Sequence, residues 1–202
     1  IKAMGRSGVP PHLLVEAGLA AVDEAGPRER HYDRFRNRVT FPIVNVYGRV
    51  VGFGGRALDD SMPKYLNSPE SPVFSKRTNL YGLNLAADRI RLDGAAVLVE
   101  GYLDVVAAHE AGLGNVVATL GTALTAEQAR LISRYAHRVV MCYDADSAGS
   151  AATGRGVGIT SGVGLEVAVA MLPEGHDPDS LVRNQGGDAL RDAIETAVPY
   201  AR

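Results

Sequence analysis

Short apolar runs alternate with longer stretches of helical spacing through the second half of the chain. Residues 95–99, 115–119, 139–143 and 165–171 are apolar and rich in Val, Ala and Leu, which predicts buried strands. Between them the spacing changes to a helical period. A helix is predicted over residues 102–111, closed by Gly112. Thr125-Ala126-Glu127-Gln128 reads as a capping box that opens a helix running to about His137. Another helix starts near Ser147, and Asp188 is placed to cap a last one with Leu190, Ala193, Ile194 and Ala197 on one face. The Gly-rich run 154–164 reads as a flexible connector. Strands alternating with helices predict right-handed βαβ units and a parallel sheet flanked by helices.

The first half reads differently. Leu13, Leu14 and Val15 suggest a short helix within residues 10–20, and residues 27–31 read as a charged loop. Residues 39–46 and 50–53 predict two strands joined at Tyr47-Gly48-Arg49. Gly52, Gly54 and Gly55 weaken the second strand or leave room for close approach to its backbone. Pro63, Pro69 and Pro72 keep residues 60–75 irregular, and long loops in compact domains are commonly functional. The pattern break near residue 93 divides the chain into a smaller mixed α+β subdomain at 1–92 and an α/β subdomain at 93–202.

Parallel strands place all their carboxyl ends on one sheet edge, where ligands bind. Acids follow three of the predicted strands: Glu100 after the first, Asp144 and Asp146 after the third, Asp177 and Asp179 after the fourth. Each has a local alternative. Glu100 suits a helix dipole, Asp146 an N-cap, and Asp177-Pro178 a capped helix start with proline in its first turn. Together they would crowd like charges that repel by roughly 4 kcal/mol at about 4 Å, which a hard divalent cation relieves. Asp104 falls in a helix's first turn, beside that group. His109 and His176 read as structural or solvated residues.

Composition narrows the classes. The chain has 202 residues, 46% hydrophobic and 22% charged, with a net charge of −2, so attraction to nucleic acid needs a local basic face. Arg34, Arg36, Arg38, Arg49, Arg56, Lys64, Lys76 and Arg77 supply one. Arginine forks suit phosphates; Asn67 and Ser68 offer hydrogen bonds, and Tyr65 offers a stacking or packing ring. Cys142 is the sole cysteine, so neither an internal disulfide nor a cysteine zinc site is available. No apolar run approaches a membrane span, and no nucleophile elbow, dinucleotide fingerprint or P-loop is present. Beginning at Ile1 rather than Met, the sequence is expected to be a piece of a longer protein.

A Glu after the first strand and Asp-x-Asp after the third resembles the Toprim domain, over about residues 93–182. Glu100-Gly101-Tyr102-Leu103-Asp104, Ala118-Thr119-Leu120-Gly121-Thr122, Tyr143-Asp144-Ala145-Asp146 and Asp177-Pro178-Asp179 resemble bacterial DNA primases in particular. So do Arg34-Phe35-Arg36-Asn37-Arg38, Gly52-Phe53-Gly54-Gly55-Arg56, Pro63-Lys64-Tyr65-Leu66-Asn67-Ser68-Pro69 and Asn79-Leu80-Tyr81-Gly82, which extends the likeness to about residues 32–199. One departure is Ala145, where primases usually carry Gly.

The resemblance implies a Toprim-type parallel sheet preceded by a basic subdomain. It implies an enzyme that makes short RNA primers on single-stranded DNA from ribonucleoside triphosphates, leaving an RNA–DNA hybrid. Glu100, Asp144, Asp146, Asp177 and Asp179 would hold Mg²⁺ or Mn²⁺, with Glu100 alternatively a general base; Glu100, Asp144 and Asp146 would be the catalytic acids. Arg56, Lys64 and Lys76 would take nucleotide phosphate or template, with Tyr65, Asn67 and Ser68 beside them. Zinc and the replicative helicase would engage modules outside this chain. A guanosine alarmone is expected to compete with nucleotide, and the chain is expected to be a cytoplasmic monomer at the replication fork. The rival readings are a non-priming nucleic-acid-binding fragment and another Toprim enzyme, a nuclease or a topoisomerase; the chain has no room for a topoisomerase's DNA-cleaving domain.

Overall fold

The computed structural model describes residues 1–23, 30–144 and 147–200, those at 147–152 as backbone alone. The chain forms two compact units, one of residues 1–44 and 49–75, the other of residues 45–48 and 76–202. In the first, α1 (Lys2–Arg6) and α2 (Pro11–Glu16) precede a two-stranded antiparallel ribbon of β1 (Ala20–Asp23) and β2 (Arg30–Asp33). A three-stranded antiparallel sheet follows in the order β3 (Arg38–Val44), β4 (Val50–Ala57), β5 (Tyr65–Asn67). The glycines of β4 serve close packing. A Cβ at Gly55 would lie 2.7 Å from Phe35, and one at Gly52 would lie 3.2 Å from Phe74.

The second unit is the α/β half. Its elements are α3 (Leu83–Asp93), β6 (Ala95–Val99), α4 (Tyr102–Glu110), β7 (Val116–Ala118), α5 (Ala126–Ile132), β8 (Arg138–Met141), α6 (Ser147–Ser161), β9 (Glu166–Val169), α7 (Pro178–Gln185), α8 (Gly187–Glu195) and β10 (Val198–Pro199). The sheet order is β10-β9-β8-β6-β7, with β6 to β9 parallel and β10 antiparallel to β9. Side chains alternate across it. Ala96, Leu98, Val117, Val139 and Met141 pack with residues of α3, α5 and α6. Val97, Val99, Val116, Val140 and Cys142 pack with residues of α4, α7 and α8 on the other face. Burying each large aliphatic contributes about 1.5–3 kcal/mol, so the sheet core anchors the edge where the acids emerge. Tyr81 adds a single antiparallel bridge to Ala118, with N···O distances of 2.9 and 3.1 Å, along the outer side of β7.

The parallel sheet and four of its predicted strands are present. Several expectations differ. The unit boundary falls after Ser75 rather than near residue 93, because α3 places Leu83, Ala86 and Ile90 in the sheet core. The run 154–164 is no connector: α6 continues through it to Ser161. Its packing explains why, since Val157 and Thr160 are buried and a Cβ at Gly156 would lie 2.9 Å from Met141. The helix after Thr125 stops at Ile132, short of His137. Gly186, not Asp188, occupies the N-cap of α8, and Asp188 sits in its first turn. Arg30 and His31, read as loop, belong to β2, whereas the rest of that expected loop lies outside the described residues.

Candidate functional site

Four carboxylates converge at the carboxyl edge of the parallel sheet, with Asp104 at their centre. Glu100 follows β6 directly, Asp144 lies three residues beyond β8, and Asp177 is the N-cap of α7. Asp104, in the first turn of α4, is only 6% exposed. One of its oxygens accepts the Gly101 N–H at 2.9 Å and the other accepts the Asp179 N–H at 3.2 Å. A single carboxyl thereby ties the β6–α4 turn to the first turn of α7. Burial pushes it up to about 7, opposed by the Gly101 bond and reinforced by the negative charges of Asp177, Asp144 and Glu100. Three of the sequence-predicted acids therefore bear on its charge.

The predicted acids do not all play one part. Asp177 accepts the Ser180 N–H at 2.6 Å while its own N–H donates to Ser180 Oγ at 3.0 Å, a reciprocal cap with Pro178 in the first turn. Asp179 is ion-paired to Arg183 one turn on. Both side chains therefore help to hold the start of α7. Asp146 lies outside the described residues, as does Ala145. Among the described residues no three Asp, Glu, His or Cys side chains form a ready cation cage. The donors that do approach Asp104 are carboxylate oxygens, which suit Mg²⁺ or Mn²⁺ and not a soft metal. Cys142 does not change that: burial, with Asp104 and Asp144 nearby, pushes its thiol up to about 12. The Tyr143 hydroxyl is likewise raised, by burial and then by Glu100.

Two loops complete this edge. The β7–α5 loop contains Leu120 and Gly121 in consecutive left-handed conformations, with φ of 65° and 70°. It borders a cavity of about 290 Å³ that Glu100, Tyr143 and Arg155 also line. The segment carrying Lys76 is pinned to α5. Gln128, fully buried, donates to the carbonyls of Lys76 and Asn79 at 2.8 and 2.9 Å, and Thr125 Oγ1 donates to that of Arg77 at 2.7 Å. The capping box was legible in the sequence, but this second duty of Gln128 carries no sequence signal. Asp104's duty does carry one: an acid at the third helical position after a strand-ending glycine can accept that glycine's N–H.

In the first unit Arg56 lies on β4, opposite Tyr65 of β5, and its Nε is buried without a hydrogen-bond partner among the described residues. Lys64 Nζ lies 6.0 Å from the Tyr65 ring centroid, and Tyr65 is exposed. The Lys64 carbonyl accepts from the Ala57 N–H at 2.9 Å and from Arg38 at 3.3 Å, which fixes the loop's return. The Asn67 carbonyl accepts from Arg34 at 3.3 Å. Ser68 is enclosed, its hydroxyl oxygen taken by the Phe53 N–H at 3.0 Å. His109 is structural, with Nε2 2.9 Å from the Val116 carbonyl.

Residues 1–87 match the family model for the N-terminal domain of the DNA primase catalytic core, and residues 97–182 match the Toprim-like model. The DNA primase of Clostridium acetobutylicum is 51% identical over 185 residues, 92% of this chain and 30% of that protein. The solved E. coli primase catalytic core is 42% identical, with a TM-score of 0.87 over 97% of this chain and 64% of that one. A primase catalytic domain solved with single-stranded DNA is 40% identical, with a TM-score of 0.87 over 98% of this chain and 62% of the other. The chain spans about 30% of the length of the curated relatives it matches. With both halves of the catalytic core recognised in order, the chain belongs to the DNA primase family.

Proposed function

We propose that this chain is the nucleotidyl-transfer core of a primase, joining ribonucleotides into short primers on a single-stranded DNA template. The observation that carries the proposal is Asp104, buried at the sheet edge and ringed by the charges of Glu100, Asp144 and Asp177. Carboxylates are gathered so closely where a cation offsets their repulsion. Glu100 and Asp144, with Asp146, would hold Mg²⁺ or Mn²⁺, and Asp177 and Asp179 would close the far side. The chemistry such an ion would supply is a lowered pKa for the primer 3′-hydroxyl and neutralisation of the charge developing on the departing pyrophosphate. Asp104 would keep Glu100 and the start of α7 in register through its two backbone bonds. Alternatively, Glu100 would serve as the general base that accepts the hydroxyl proton. Arg56 and Lys64 of the first unit, with Lys76, would attract template and nucleotide phosphates, and Tyr65 would offer its exposed ring to a base. Asn67 and Ser68, whose carbonyl and hydroxyl are already engaged, would shape that loop. A guanosine alarmone, which shares the base and phosphates of GTP, would compete for the nucleotide site.

Calorimetric titration of Mn²⁺ and then GTP into the wild type and Asp144→Ala tests the reading. Metal should strengthen nucleotide binding in the wild type, and the substitution should abolish the gain. Metal-independent nucleotide binding, equal in both proteins, would reduce the acids to helix caps and overturn the proposal.

A further inference from the structure

A second cavity lies at the opposite edge of the parallel sheet. It measures about 250 Å³ and is lined by residues of α3, of the α4–β7 loop and of α8. Asn115 of that loop donates to the Ala95 carbonyl at 3.2 Å, which places the cavity where β6 and β7 begin. β6 has five residues, so roughly 13 Å of strand separates this edge from Glu100. None of the acids described above lines it. It carries charges of its own: Arg89 and Asp93 from α3, Arg191 and Glu195 from α8.

Each arginine is anchored by a partner of its own. Arg89 Nε donates to Asp93 at 2.8 Å. Arg191 Nη2 donates to the Ala111 carbonyl at 3.3 Å, and its Nε lies 3.8 Å from Asp188. Both side chains keep donors in reserve: among the described residues, neither Nη group of Arg89 nor Nη1 of Arg191 has a hydrogen bond. The loop between α4 and β7 lies against both of them and adds no bulk. A Cβ at Gly114 would lie 3.5 Å from Arg89 Cγ, and one at Gly112 would lie 3.8 Å from Arg191 Nη2. Two guanidinium groups from separate helices thus share one small space, and arginine forks match the oxygens of phosphate. Glu195 opposes them. It lines the same cavity and makes no ion pair or hydrogen bond among the described residues. The volume falls just below the small-molecule range, which begins at about 300 Å³, and so suits a phosphate group with its waters better than a whole nucleoside triphosphate.

We infer that this cavity is an anion site for a phosphate group, with Arg89 and Arg191 as its binding residues and Glu195 as the charge that tempers its affinity. The site stands apart from the acids at the carboxyl edge and does not depend on the proposed function. Free phosphate and a phosphodiester of single-stranded DNA share this chemistry, so the test separates them.

Inorganic phosphate would be titrated calorimetrically into the wild type, Arg89→Gln, Arg191→Gln and Glu195→Gln, with thermal unfolding to confirm each fold. A short oligodeoxythymidine and Mn²⁺ alone would be titrated into the same four proteins. Each arginine substitution should weaken phosphate binding about tenfold, because it removes a charged fork. Glu195→Gln should strengthen it about threefold, because it removes a repelling charge. A merely structural role for these residues would not produce opposite signs. Mn²⁺ binding should stay within twofold throughout. Oligodeoxythymidine binding that weakens in both arginine variants, with a shallower salt dependence, assigns the site to the nucleic-acid backbone; binding that is unchanged or absent assigns it to free phosphate. Phosphate binding within twofold of wild type in both arginine variants, or none to the folded wild type, overturns the inference and leaves the proposed function standing. If the wild type binds phosphate but no Mn²⁺, the proposed function falls and this inference stands.

Discussion

The substitution Asp104→Asn should exchange a pH-dependent stability for a nearly flat one. Asp104 titrates near 3.8 when unfolded and at about 7 when folded, chiefly because it is buried. Below pH 4 it is protonated in both states and contributes nothing. As pH rises from about 4 to 7 the unfolded chain gives up this proton while the folded chain retains it. Stability therefore falls through that window, and above pH 7 the full penalty applies, roughly 4 kcal/mol. Between about pH 5 and pH 8.5 the metal-free wild type should lose roughly 3 kcal/mol through this group. The substituted amide cannot ionise, but it keeps one acceptor oxygen where Asp104 offers two, so either the Gly101 or the Asp179 N–H loses its partner, at about 1–3 kcal/mol. The difference between the two proteins should therefore shift in the variant's favour by roughly 3 kcal/mol between pH 5 and pH 8.5. Urea unfolding at both pH values in excess chelator measures this directly. Equal pH dependence of the two proteins would refute the reasoning. Adding Mg²⁺ at pH 8.5 should restabilise the wild type far more than the variant, because a cation relieves a repulsion that the neutral amide does not feel.

Other expectations follow from packing. Gly154→Ala and Gly158→Ala should each stabilise by about 0.5–1 kcal/mol in thermal unfolding, because a Cβ at either meets nothing within 4 Å on helix α6. Gly187→Ala should destabilise by about 1–3 kcal/mol, because its Cβ would lie 2.6 Å from that of Ala111. Gln128→Ala should cost about 2–4 kcal/mol in urea unfolding and loosen the Lys76 segment, read as faster amide exchange at residues 76–79. Increasing concentrations of a guanosine alarmone should displace labelled GTP completely; simultaneous binding of both would refute competition.

The acidic edge was legible because two periodicities agree. Strand runs fix the carboxyl edge, and Glu100, Asp144 and Asp177 each follow one. What the sequence hid has physical causes. Leu83, Ala86 and Ile90 have helical spacing, but the prolines and polar residues before them disguised α3 as more loop. The glycines of α6 argue against a helix by intrinsic propensity, yet packing against Met141 overrides it. Strand β10 has two residues, one of them proline, too few for any periodic signal. Asp177 and Asp179 read as ligands by position, while the structure shows each also occupied in holding α7. Ser68 looked available as a hydroxyl, and only the fold reveals that Phe53 has claimed it.

Among the described residues, each margin of the five-stranded sheet offers little backbone for a further strand to pair with. On one, the backbone of Ala118 is already bridged by Tyr81. On the other, β10 is two residues long and ends in Pro199, which has no N–H to offer a further strand. Among the described residues, a second copy therefore finds no long run of open hydrogen-bonding groups at these margins, which discourages edge-to-edge pairing of this sheet when the chain is concentrated.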